Sequence, residues 1–578
     1  MNADSDNMTN PAQKKPLRLW PGIIIVILQW LVRFGIPIVA PGDTVTITGV
    51  FGALLGGLAI VVWWAFFSRA PRFERWAAIV TMIISLAATS RIIHISISTT
   101  MMGLMFAVYS IPVLSLAFVV WAVACQHLAI VPRRVSMVTT ILLASGFWAL
   151  LRTDGMDGET HQDFAWRWSK TSEERLLAKD SNKLKPMPAN SASIKAEAEW
   201  PGFRGRNRDG IIHGVKIKTD WIKSPPVEMW RRSIGPGCSS FAVQGNLLYT
   251  QEQRGEYEMV TCYKLNTGEP VWRHSDSARF WDSHAGAGPR ATPTLSNGHV
   301  YTLGATGILN VLDALSGTQV WSRNAASDAG VKALPWGFTS SPLIVNDVVI
   351  VALSGKLAAY DAANGKLRWF GPDGGNSFSS PHLITIDSTL QVLLMSQSGA
   401  LSVNPANGKP FWKYSWPLDD RILQPAVISE GNLLLAGEAK GVCRISVTHT
   451  HGEWVVKELW KSAEMILNFN DFVIHKGYTY GFDGPRIACT DINDGKCKWK
   501  GDPYRGWLLL LADQDLLLLL TEKGELALVE ANPEHFRELV RIPAIKGKTW
   551  NHPVLVGDVL VVRNNQEMAA FRLSLKGH

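Results

Sequence analysis

The chain has 578 residues, a hydrophobic fraction of 47% and a formal net charge of +8 at pH 7. That length is too great for one ordinary core, so two or more domains are expected. Residues 1–152 contain eleven Lys or Arg against four Asp or Glu and so carry seven of the eight net positive charges. The remainder is nearly neutral, which argues against a nucleic-acid partner, because such a protein needs a basic face on its folded domain.

Five apolar stretches near the N-terminus are each about long enough to cross a bilayer. They cover roughly Trp20–Val39, Val45–Phe67, Trp76–Ile97, Gly103–Cys125 and Val135–Leu151. The first is longer than the apolar region of a cleaved signal peptide, and no small-residue cleavage site follows it. Residues 1–152 are therefore predicted to form an α-helical transmembrane domain of about five helices.

Lysine and arginine cluster in alternate loops of this region. The clusters precede the first, third and fifth spans and consist of Lys14, Lys15, Arg18, Arg69, Arg72, Arg75, Arg133 and Arg134. The positive-inside rule then places the N-terminus in the cytoplasm, and an odd number of spans places the rest of the chain outside. This pattern predicts a multi-pass protein of the bacterial inner membrane with a periplasmic C-terminal domain.

Arg91 and His94 fall inside the third predicted span, close to its C-terminal end. Ionisable residues within a span are candidates for a functional role. Arg91 is also near enough to the interface for its guanidinium to reach water. The sequence leaves the role of both residues open.

Residues 153–199 are polar and are predicted to form a stalk or linker with one short helix. Thr171-Ser172-Glu173-Glu174 fits the capping box of that helix. The stretch from Asp180 to Glu199 has the composition of a flexible linker. The aromatic residues of Phe164–Trp168 are expected to rest on the membrane surface or on the underside of the following domain, and both alternatives stay open.

After residue 200, a strand, a tight turn and a second strand that ends in Trp recur at a spacing of about 40–50 residues, which is typical of propellers. The copies are Tyr263–Trp272, Leu312–Trp321, Tyr360–Trp369, Val403–Trp412 and Thr490–Trp499. Between them lie apolar hairpins with turns of Gly, Asn and Asp, which tolerate positive φ. Pairing the two kinds of hairpin gives four strands per unit and eight units.

Residues 200–578 are thus predicted to form an all-β eight-bladed propeller. The last unit lacks one strand, and residues 227–232 supply a strand that would complete it, because an open ring leaves an exposed sheet edge. Seven blades remain the alternative if the weak unit around Trp507–Val540 is not a blade. The repeated Trp is expected to pack adjacent blades together.

The six cysteines show neither a CxxC spacing nor a zinc pattern. Cys489 and Cys497 flank one turn of the repeat, and their arrangement leaves a disulfide or two small buried side chains as alternatives. His449 and His451 share a turn with no third ligand nearby, so no metal site is predicted.

Units of the form Asp-x-x-x-Gly-Lys-x-x-Trp, as in Asp361–Trp369, resemble the pyrroloquinoline quinone (PQQ) repeat. The resemblance covers roughly residues 200–574, and six of the eight units carry it. It implies a PQQ-like propeller, which is shared by quinoprotein dehydrogenases that use PQQ with Ca²⁺ and by cofactor-free scaffolds of outer-membrane protein assembly. The order of spans, linker and Glu199–Gly205 also resembles membrane-bound quinoprotein glucose dehydrogenase. The blades lack the long insertions that build the cofactor pocket in that family, so no catalytic or calcium-binding residue is carried over.

Two functions are consistent with this resemblance. The preferred one is a membrane-anchored, non-enzymatic binding or scaffolding module on the outer face of the cytoplasmic membrane, with a protein or polymer partner at the propeller rim and no assigned cofactor. The alternative is a PQQ-dependent quinoprotein dehydrogenase that oxidises an alcohol or sugar and passes electrons to membrane quinone. The sequence names neither the substrate, nor the partner, nor the oligomeric state.

Loops that lead into the innermost strands surround the mouth of a propeller's central channel. The candidate ligand-binding or cofactor-binding residues in these loops are Arg290, Trp336, Asn376, Arg421, Asn468, Arg505, Trp507, Asn551 and His552. Arginines there would bind carboxylates bidentately, and Trp336 or Trp507 would stack on the PQQ ring. Alternatively, the Arg and Asn side chains satisfy backbone groups where the strands begin. No catalytic residue is assigned.

Overall fold

The computed structural model describes residues 17–39, 43–158, 162–179, 197–418, 423–437, 440–467 and 470–577. Two of the candidate site residues, Arg421 and Asn468, and most of the predicted linker lie outside the described residues. The chain divides into two compact units, Met1–Ser169 and Lys170–His578. The first unit is mainly helical and the second is almost entirely β.

Apolar helices build the first unit. Its α-helices are Trp20–Trp30, Ile36–Val39, Asp43–Val62, Arg72–Ser90, Ile95–Thr99, Met105–Ala124 and Ile130–Gly146. π-helical turns cover Leu31–Gly35 and Trp63–Phe67, and 3₁₀ turns cover Thr100–Gly103 and Phe147–Leu150. Within the described ranges, four helices are long and apolar enough to cross a membrane, or five if one bent pair counts as a single span. The prediction of about five such helices is thus confirmed as four to five.

The bent pair corresponds to the third predicted span. Its first helix ends at Ser90, and the next begins at Ile95 after a bend of 109°. The ring of His94 caps the second helix by accepting a hydrogen bond from the Ser96 amide at 3.2 Å. Arg91 lies in the intervening turn and is exposed. The predicted span Trp76–Ile97 is therefore not one straight helix, because the cap at His94 starts a new helix in a new direction.

The basic clusters of the first unit lie at one end of its helices. The Arg18 amide donates to the carbonyl of Ser68 at 3.0 Å, just before the second cluster. Glu74, within that second cluster, is only 2% exposed. It pairs with Arg133 and, at 3.6 Å, with Arg134 of the third cluster. The described parts of all three clusters are thus held together.

The first unit ends in a hairpin that the sequence did not predict. Its antiparallel strands are Leu151–Met156 and Gln162–Trp166. The ring of Phe164 lies 5.5 Å from that of Tyr109 and 5.7 Å from that of Trp148. Within this unit, the hairpin therefore packs its aromatic side chain onto the ends of the helices.

The second unit begins with the short helix Ser172–Lys179. Thr171 and Glu174 form a capping box, with their amides donating to each other's side chains at 2.7 and 3.0 Å. Glu173 forms an ion pair with Arg279 at 2.9 Å. This contact fixes the helix to the loop after the first blade.

Eight antiparallel four-stranded sheets form a propeller in the part of the chain that the structure describes. From the innermost strand outwards, blades 1 to 4 are Ala242–Gln244, Leu247–Arg254, Tyr257–Lys264, Pro270–Asp276; Thr294–Ser296, His299–Leu303, Ile308–Asp313, Gln319–Asn324; Leu343–Val345, Val348–Leu353, Lys356–Asp361, Leu367–Asp373; and His382–Ile386, Thr389–Ser396, Gly399–Val403, Pro410–Ser415. Blades 5 to 8 are Ala426–Ser429, Asn432–Gly437, Gly441–Thr450, Glu453–Ser462; Val473–His475, Tyr478–Asp483, Arg486–Asp491, Cys497–Pro503; Gly506–Leu511, Leu516–Thr521, Glu525–Glu530, Glu538–Pro543; and Val554–Val556, Val559–Arg563, Glu567–Arg572, Val227–Ser233. The smaller elements are the strands Trp281–Asp282 and Gly286–Ala287, the helix Ala325–Ala329 and the 3₁₀ turn Ala512–Gln514.

The eight-bladed prediction is confirmed. The weak unit around Trp507 forms blade 7, a complete sheet with a fifth, parallel strand, Ile211–Ile212, at its inner edge. Seven blades are thereby excluded. All six cysteines are free, and Cys489 pairs in register with Trp499 rather than with Cys497.

The repeated Trp joins neighbouring blades, as predicted. The indole of Trp321 in blade 2 donates to the carbonyl of Ala362 in blade 3 at 2.9 Å. Gly365 of the same turn has φ +69°, and a Cβ there would lie 2.7 Å from the Trp321 ring. The corresponding indole-to-carbonyl bonds are made by Trp230, Trp272, Trp369, Trp460 and Trp499. The Asn-Gly turn therefore provides both the carbonyl acceptor and the space for the preceding blade's indole.

The ring closes through an N-terminal strand. Val227–Ser233 pairs antiparallel with Glu567–Arg572 as the outermost strand of blade 8. Its Trp230 indole donates to the carbonyl of Leu265 in blade 1 at 2.8 Å. The N-terminal and C-terminal strands of the propeller are thus joined in one sheet.

Residues 200–210, which we call the plug, cross the central channel. Trp200 exchanges main-chain hydrogen bonds with Val243 of blade 1. The plug then leads directly into Ile211–Ile212 on blade 7. Between these two anchors, the buried side chains of Arg204 and Arg208 donate to main-chain carbonyls of blades 3, 4 and 6. The plug therefore ties the start of the propeller chain to several innermost strands.

Candidate functional site

A cavity of about 140 Å³, which we call the mouth cavity, lies where the innermost strands begin. Its lining residues are Phe203, Cys238, Ser240, Ala285, Arg290, Thr292, Trp336, Thr339, Ser341, Phe378, Ser380, Trp507, Trp550 and His552. Phe203 comes from the plug, Trp507 comes from the innermost strand of blade 7, and the others come from loops that lead into blades 1, 2, 3, 4 and 8. The position is the channel mouth at which the sequence placed its candidate residues.

Aromatic rings form much of the wall of the mouth cavity. The ring centroids of Trp336 and Phe378 are 5.7 Å apart. On the opposite blades, the ring of His552 lies 5.3 Å from Trp507 and 5.7 Å from Phe203. Such spacings are those of paired aromatic side chains. The wall is therefore suited to the faces and edges of another ring.

Hydroxyl groups beneath these rings connect the blades. The amide of Ser240 donates to Thr292 at 3.1 Å, that of Thr292 to Ser341 at 3.0 Å, and that of Ser341 to Ser380 at 2.9 Å. The Ser240 hydroxyl itself donates to the carbonyl of His552 at 2.6 Å. The Thr292, Ser341 and Ser380 hydroxyls each satisfy a backbone amide of the preceding blade, and the Ser240 hydroxyl satisfies a carbonyl, so these groups hold the channel wall together.

Arg290 lines the mouth cavity, but its guanidinium is bound to its own loop. It pairs with Asp282 and donates to the carbonyls of Gly286, Ala287 and Gly288 at 2.7, 3.3 and 2.8 Å. Its terminal nitrogens therefore donate to acceptors of its own loop and not to a ligand in the cavity. Asn551 is similar, because its side-chain amide donates to the carbonyls of two residues of the loop before blade 1 at 2.8 Å each.

A buried polar cluster lies behind His552. The Oδ2 atom of Asp471 is 3.7 Å from His552 Nε2 and 3.5 Å from Arg204 Nε. None of these three atoms has a hydrogen-bond partner among the described residues. Burial, together with the Arg204 charge, lowers the pKa of His552 to about 3, so its ring is neutral at pH 7. Burial also raises the pKa of Asp471.

The structure brings four of the nine candidate residues together around the mouth cavity, namely Arg290, Trp336, Trp507 and His552. Asn551 lies next to His552 and is buried. Asn376 is exposed, with its carbonyl accepting the Gln397 amide at 2.8 Å. Arg505 is buried, and its carbonyl accepts the Glu522 amide at 2.7 Å. Neither Asn376 nor Arg505 lines the cavity.

Sequence reasoning missed Phe203, Trp550 and the hydroxyl groups. Phe203 precedes the first repeat, so no repeat position pointed to it. The hydroxyls did leave a signal, because Ser240, Thr292, Ser341 and Ser380 occupy the same position in four successive blades. Aligning the innermost strands rather than the Trp-ending hairpins would have found them.

A larger cavity of about 550 Å³, which we call the channel cavity, lies further along the same strands. Thr292, Ser341 and Ser380 line the mouth cavity, and the residues two positions later, Thr294, Leu343 and His382, line the channel cavity. The plug contributes Arg204, Arg206, Arg208 and Asp209 to its wall. The two cavities thus occupy successive levels of one channel, with the plug contributing to both.

Neither cavity fits a PQQ–Ca²⁺ pair. Sites for cofactor-sized ligands have volumes of about 300–1,000 Å³, whereas an apolar cavity of about 150 Å³ accommodates benzene. At about 140 Å³, the mouth cavity has room for one ring but not for a fused tricyclic tricarboxylate. The ionised side chains that line the channel cavity are three arginines and one aspartate, and Ca²⁺ prefers anionic and carbonyl oxygens. The lining of the channel cavity is therefore unsuited to a PQQ-bound Ca²⁺ ion.

Comparisons with known proteins agree with the propeller. Residues 226–377, which cover blades 1 to 3 with the closing strand, match a family model described as outer membrane protein assembly factor BamB. Blades 1 to 3 carry PQQ-like repeats. BamB of Yersinia pestis is 25% identical over 153 residues, which are 25% of this chain and 36% of the relative. BamB of Moranella endobia is 31% identical over 121 residues, which are 19% of this chain and 27% of the relative. The chain thus spans about a third of the length of these curated relatives.

Solved structures to which the chain is similar include a BamB and an alcohol dehydrogenase. BamB from Moraxella catarrhalis has a TM-score of 0.44 and 15% identity, with 60% of this chain and 100% of that chain covered. Quinohemoprotein alcohol dehydrogenase from Comamonas testosteroni has a TM-score of 0.49 and 15% identity, with 66% of this chain and 81% of that chain covered.

Proposed function

We propose that this protein is a membrane-anchored scaffold whose propeller binds a protein or polymer partner on the outer face of the cytoplasmic membrane. The observation that carries the proposal is the mouth cavity. It has the volume of a single ring, it has aromatic walls, and the terminal nitrogens of its Arg290 are bound to backbone and Asp282. Such a cavity suits one apolar or aromatic side chain inserted from a partner, in the way that anchor residues fill pockets at interfaces.

The first unit supports the anchoring part of the proposal. Its four to five apolar helices provide the membrane spans. The basic clusters gather at one end of these helices through Ser68 and Glu74. Because basic residues stay in the cytoplasm, this end faces inward. With the bent pair counted as one span, five spans lead the chain to the outer face. The match of blades 1 to 3 to a family described as an outer membrane protein assembly factor also supports an envelope role.

Site-specific photo-crosslinking tests the proposal. Trp336 and Trp507 are each replaced by p-benzoyl-phenylalanine in the full chain, which is irradiated in intact cells. Lys366, in the exposed outer turn of blade 3, is the control position. We expect both mouth positions to give an adduct of the same discrete mass, and Lys366 to give none. Absence of an adduct at the mouth, or equal adducts at all three positions, would contradict the proposal.

A further inference from the structure

The channel cavity has the size of a small-molecule site. Its volume of about 550 Å³ falls within the range of about 300–1,000 Å³ that is usual for such sites. The plug forms one side of the cavity, and the innermost strands of blades 2 to 6 form the others. Apolar side chains such as Leu343, Ile384 and Val473 cover most of the strand side, so the charges are concentrated on the plug.

Arg208 places a positive charge in the wall of this cavity without a matching carboxylate. Its guanidinium donates to the carbonyls of Ser341 at 3.3 Å, Pro381 at 3.0 Å and Pro342. No acidic side chain in the described ranges lies within ion-pair distance of it. Burial lowers the pKa of Arg208 to about 10, so the group is still charged at pH 7. A buried charge that meets only carbonyl dipoles is costly and favours a bound counter-charge.

Arg204 adds a second charge that is only partly compensated. Its Nη2 atom donates to the carbonyls of Phe472 and Asp209 at 2.6 and 2.8 Å. The carboxylate nearest to its guanidinium is that of Asp471, at 3.5 Å. Burial raises the pKa of that carboxyl, which means that the site disfavours its ionised form. Arg204 therefore lies beside one carboxyl group whose ionised form is disfavoured, and in the described ranges Arg208 has no carboxylate within ion-pair distance.

His382 adds a buried polar atom that has no hydrogen-bond partner among the described residues. Its side chain lines the channel cavity and is 6% exposed, and its Nδ1 atom has no hydrogen-bond partner in the part of the chain that the structure describes. Burial and the neighbouring Arg208 and Arg204 charges lower the pKa of His382 to about 3, so the ring is neutral. A buried polar atom left unsatisfied costs about 1–3 kcal/mol. A ligand that bonds to it recovers that loss.

The backbone of the plug holds both arginines in a conformation that side chains seldom adopt. Arg204 has φ +59° and Arg208 has φ +56°. Left-handed conformations of non-glycine residues cost roughly 1–3 kcal/mol and persist where the surrounding structure fixes them, often at ligand sites. The two residues with a strained backbone are thus the same two whose positive charges are not fully neutralised by nearby carboxylates.

From these observations we infer that the channel cavity binds a small organic or inorganic molecule bearing a carboxylate or phosphate group, held by Arg204, Arg208 and His382. Both groups offer oxygens that accept charge-assisted hydrogen bonds from arginine. The ligand binds without a divalent cation, because the ionised lining is mainly cationic. This site is separate from the mouth cavity, so it does not depend on a protein partner there.

Isothermal titration of the purified full chain in a non-ionic detergent tests this site. Sodium citrate and sodium phosphate are titrated separately against a sodium chloride background of constant ionic strength. We expect saturable binding of at least one of them, and the arm that saturates identifies a carboxylate or a phosphate ligand. Arg208→Lys keeps a charge but loses the guanidinium fork, and His382→Gln removes the ring. Each should weaken Kd at least about tenfold, whereas Arg323→Gln, which breaks a surface ion pair with Asp328, should not change it.

Two outcomes would overturn the inference. Failure of both citrate and phosphate to bind saturably would show that the arginines act only as braces for the plug. Saturable binding with the same Kd in the wild type and both variants would place the anion elsewhere. If Arg208→Lys fails to fold, His382→Gln decides, because its Nδ1 atom makes no hydrogen bond within the described protein.

Discussion

Two glutamates on neighbouring strands of blade 1 show how partners decide the charge of a buried carboxyl group. Glu252 is buried, but Arg254 at 3.1 Å and hydrogen bonds from the Gly235 amide, Tyr263 and Thr261 outweigh the burial and lower its pKa to about 2. Glu258 accepts the Ala305 amide at 3.1 Å, and the Arg290 charge only partly offsets its burial. Burial therefore raises the pKa of Glu258 to about 7, and the nearby Asp276 adds to the shift.

The raised pKa of Glu258 predicts a pH-dependent loss of stability. The folded protein retains this proton up to about pH 7, while the unfolded chain releases it near pH 4.5. The free energy of unfolding therefore falls as pH rises between these values. The full pKa shift of Glu258 corresponds to a loss of about 3 kcal/mol. Glu258→Gln removes the ionisation and should raise the apparent Tm of the propeller at pH 8 while changing it little at pH 5.

Thermal unfolding followed by tryptophan fluorescence checks this at both pH values. The exposed Glu453 provides the control substitution Glu453→Gln, which should leave Tm unchanged at either pH. An equal change of Tm for Glu258→Gln at pH 5 and pH 8 would refute the assignment.

The repeat glycine allows a second prediction at this scale. Gly365 and Gly298 both have positive φ, +69° and +75°. A Cβ at Gly365 would lie 2.7 Å from the Trp321 ring, whereas one at Gly298 would have no atom within 4 Å. Gly298→Ala should therefore lower the free energy of unfolding by only the ~1–2 kcal/mol that a left-handed backbone costs a residue with a Cβ. Gly365→Ala should lower Tm further than Gly298→Ala, because its Cβ also clashes with the Trp321 ring. Equal Tm values for the two variants would show that the indole does not need the space above the turn.

The candidate site was predictable from sequence only as far as the repeat extended. Trp336, Trp507 and His552 lie in or shortly before the innermost strands of their blades, so the repeat pattern was enough to place them at the channel mouth. The role of Arg290 was not predictable in the same way, because Asp282, its partner, lies in an irregular loop outside the repeat. Phe203 lies outside the repeat altogether.

At the scale of elements, the closing strand is the one that holds the propeller in a ring. Val227–Ser233 is the outermost strand of blade 8, yet its indole bonds to blade 1. The sequence was enough to predict that this strand closes the ring, because the last unit lacks one strand and an open sheet edge is unfavourable. The bend at Arg91–His94 was less predictable, since apolar composition marks a span but a single side-chain cap ends it.

Trp230→Ala should loosen this closure locally. Trp230 is 8% exposed, and truncating a buried Trp costs about 3–5 kcal/mol. We expect hydrogen–deuterium exchange, measured by mass spectrometry, to rise most in Glu567–Arg572, the strand that pairs with Val227–Ser233. Gly399–Val403 in blade 4, on the far side of the ring order, is the internal reference. A uniform rise in both strands would mean that the propeller opens only as a whole.

At the scale of the whole molecule, the chain combines a basic, apolar helical unit with a nearly neutral propeller. Most of the net positive charge lies in the sequence of the helical unit. The propeller's arginines Arg204, Arg208 and Arg290 bond to its own backbone carbonyls. The fold was therefore readable from repeats and spans. The proposal of a scaffold rests instead on cavity volume and on hydrogen bonds that no repeat encodes.

That proposal has a direct test. The full chain, purified in detergent, is titrated with PQQ in the presence of Ca²⁺ while the cofactor absorbance and dye-linked oxidation of alcohols and sugars are followed. A scaffold whose mouth cavity of about 140 Å³ admits a single ring should show neither stoichiometric uptake of PQQ nor turnover. Uptake of one PQQ per chain together with substrate oxidation would contradict the account and establish a quinoprotein dehydrogenase.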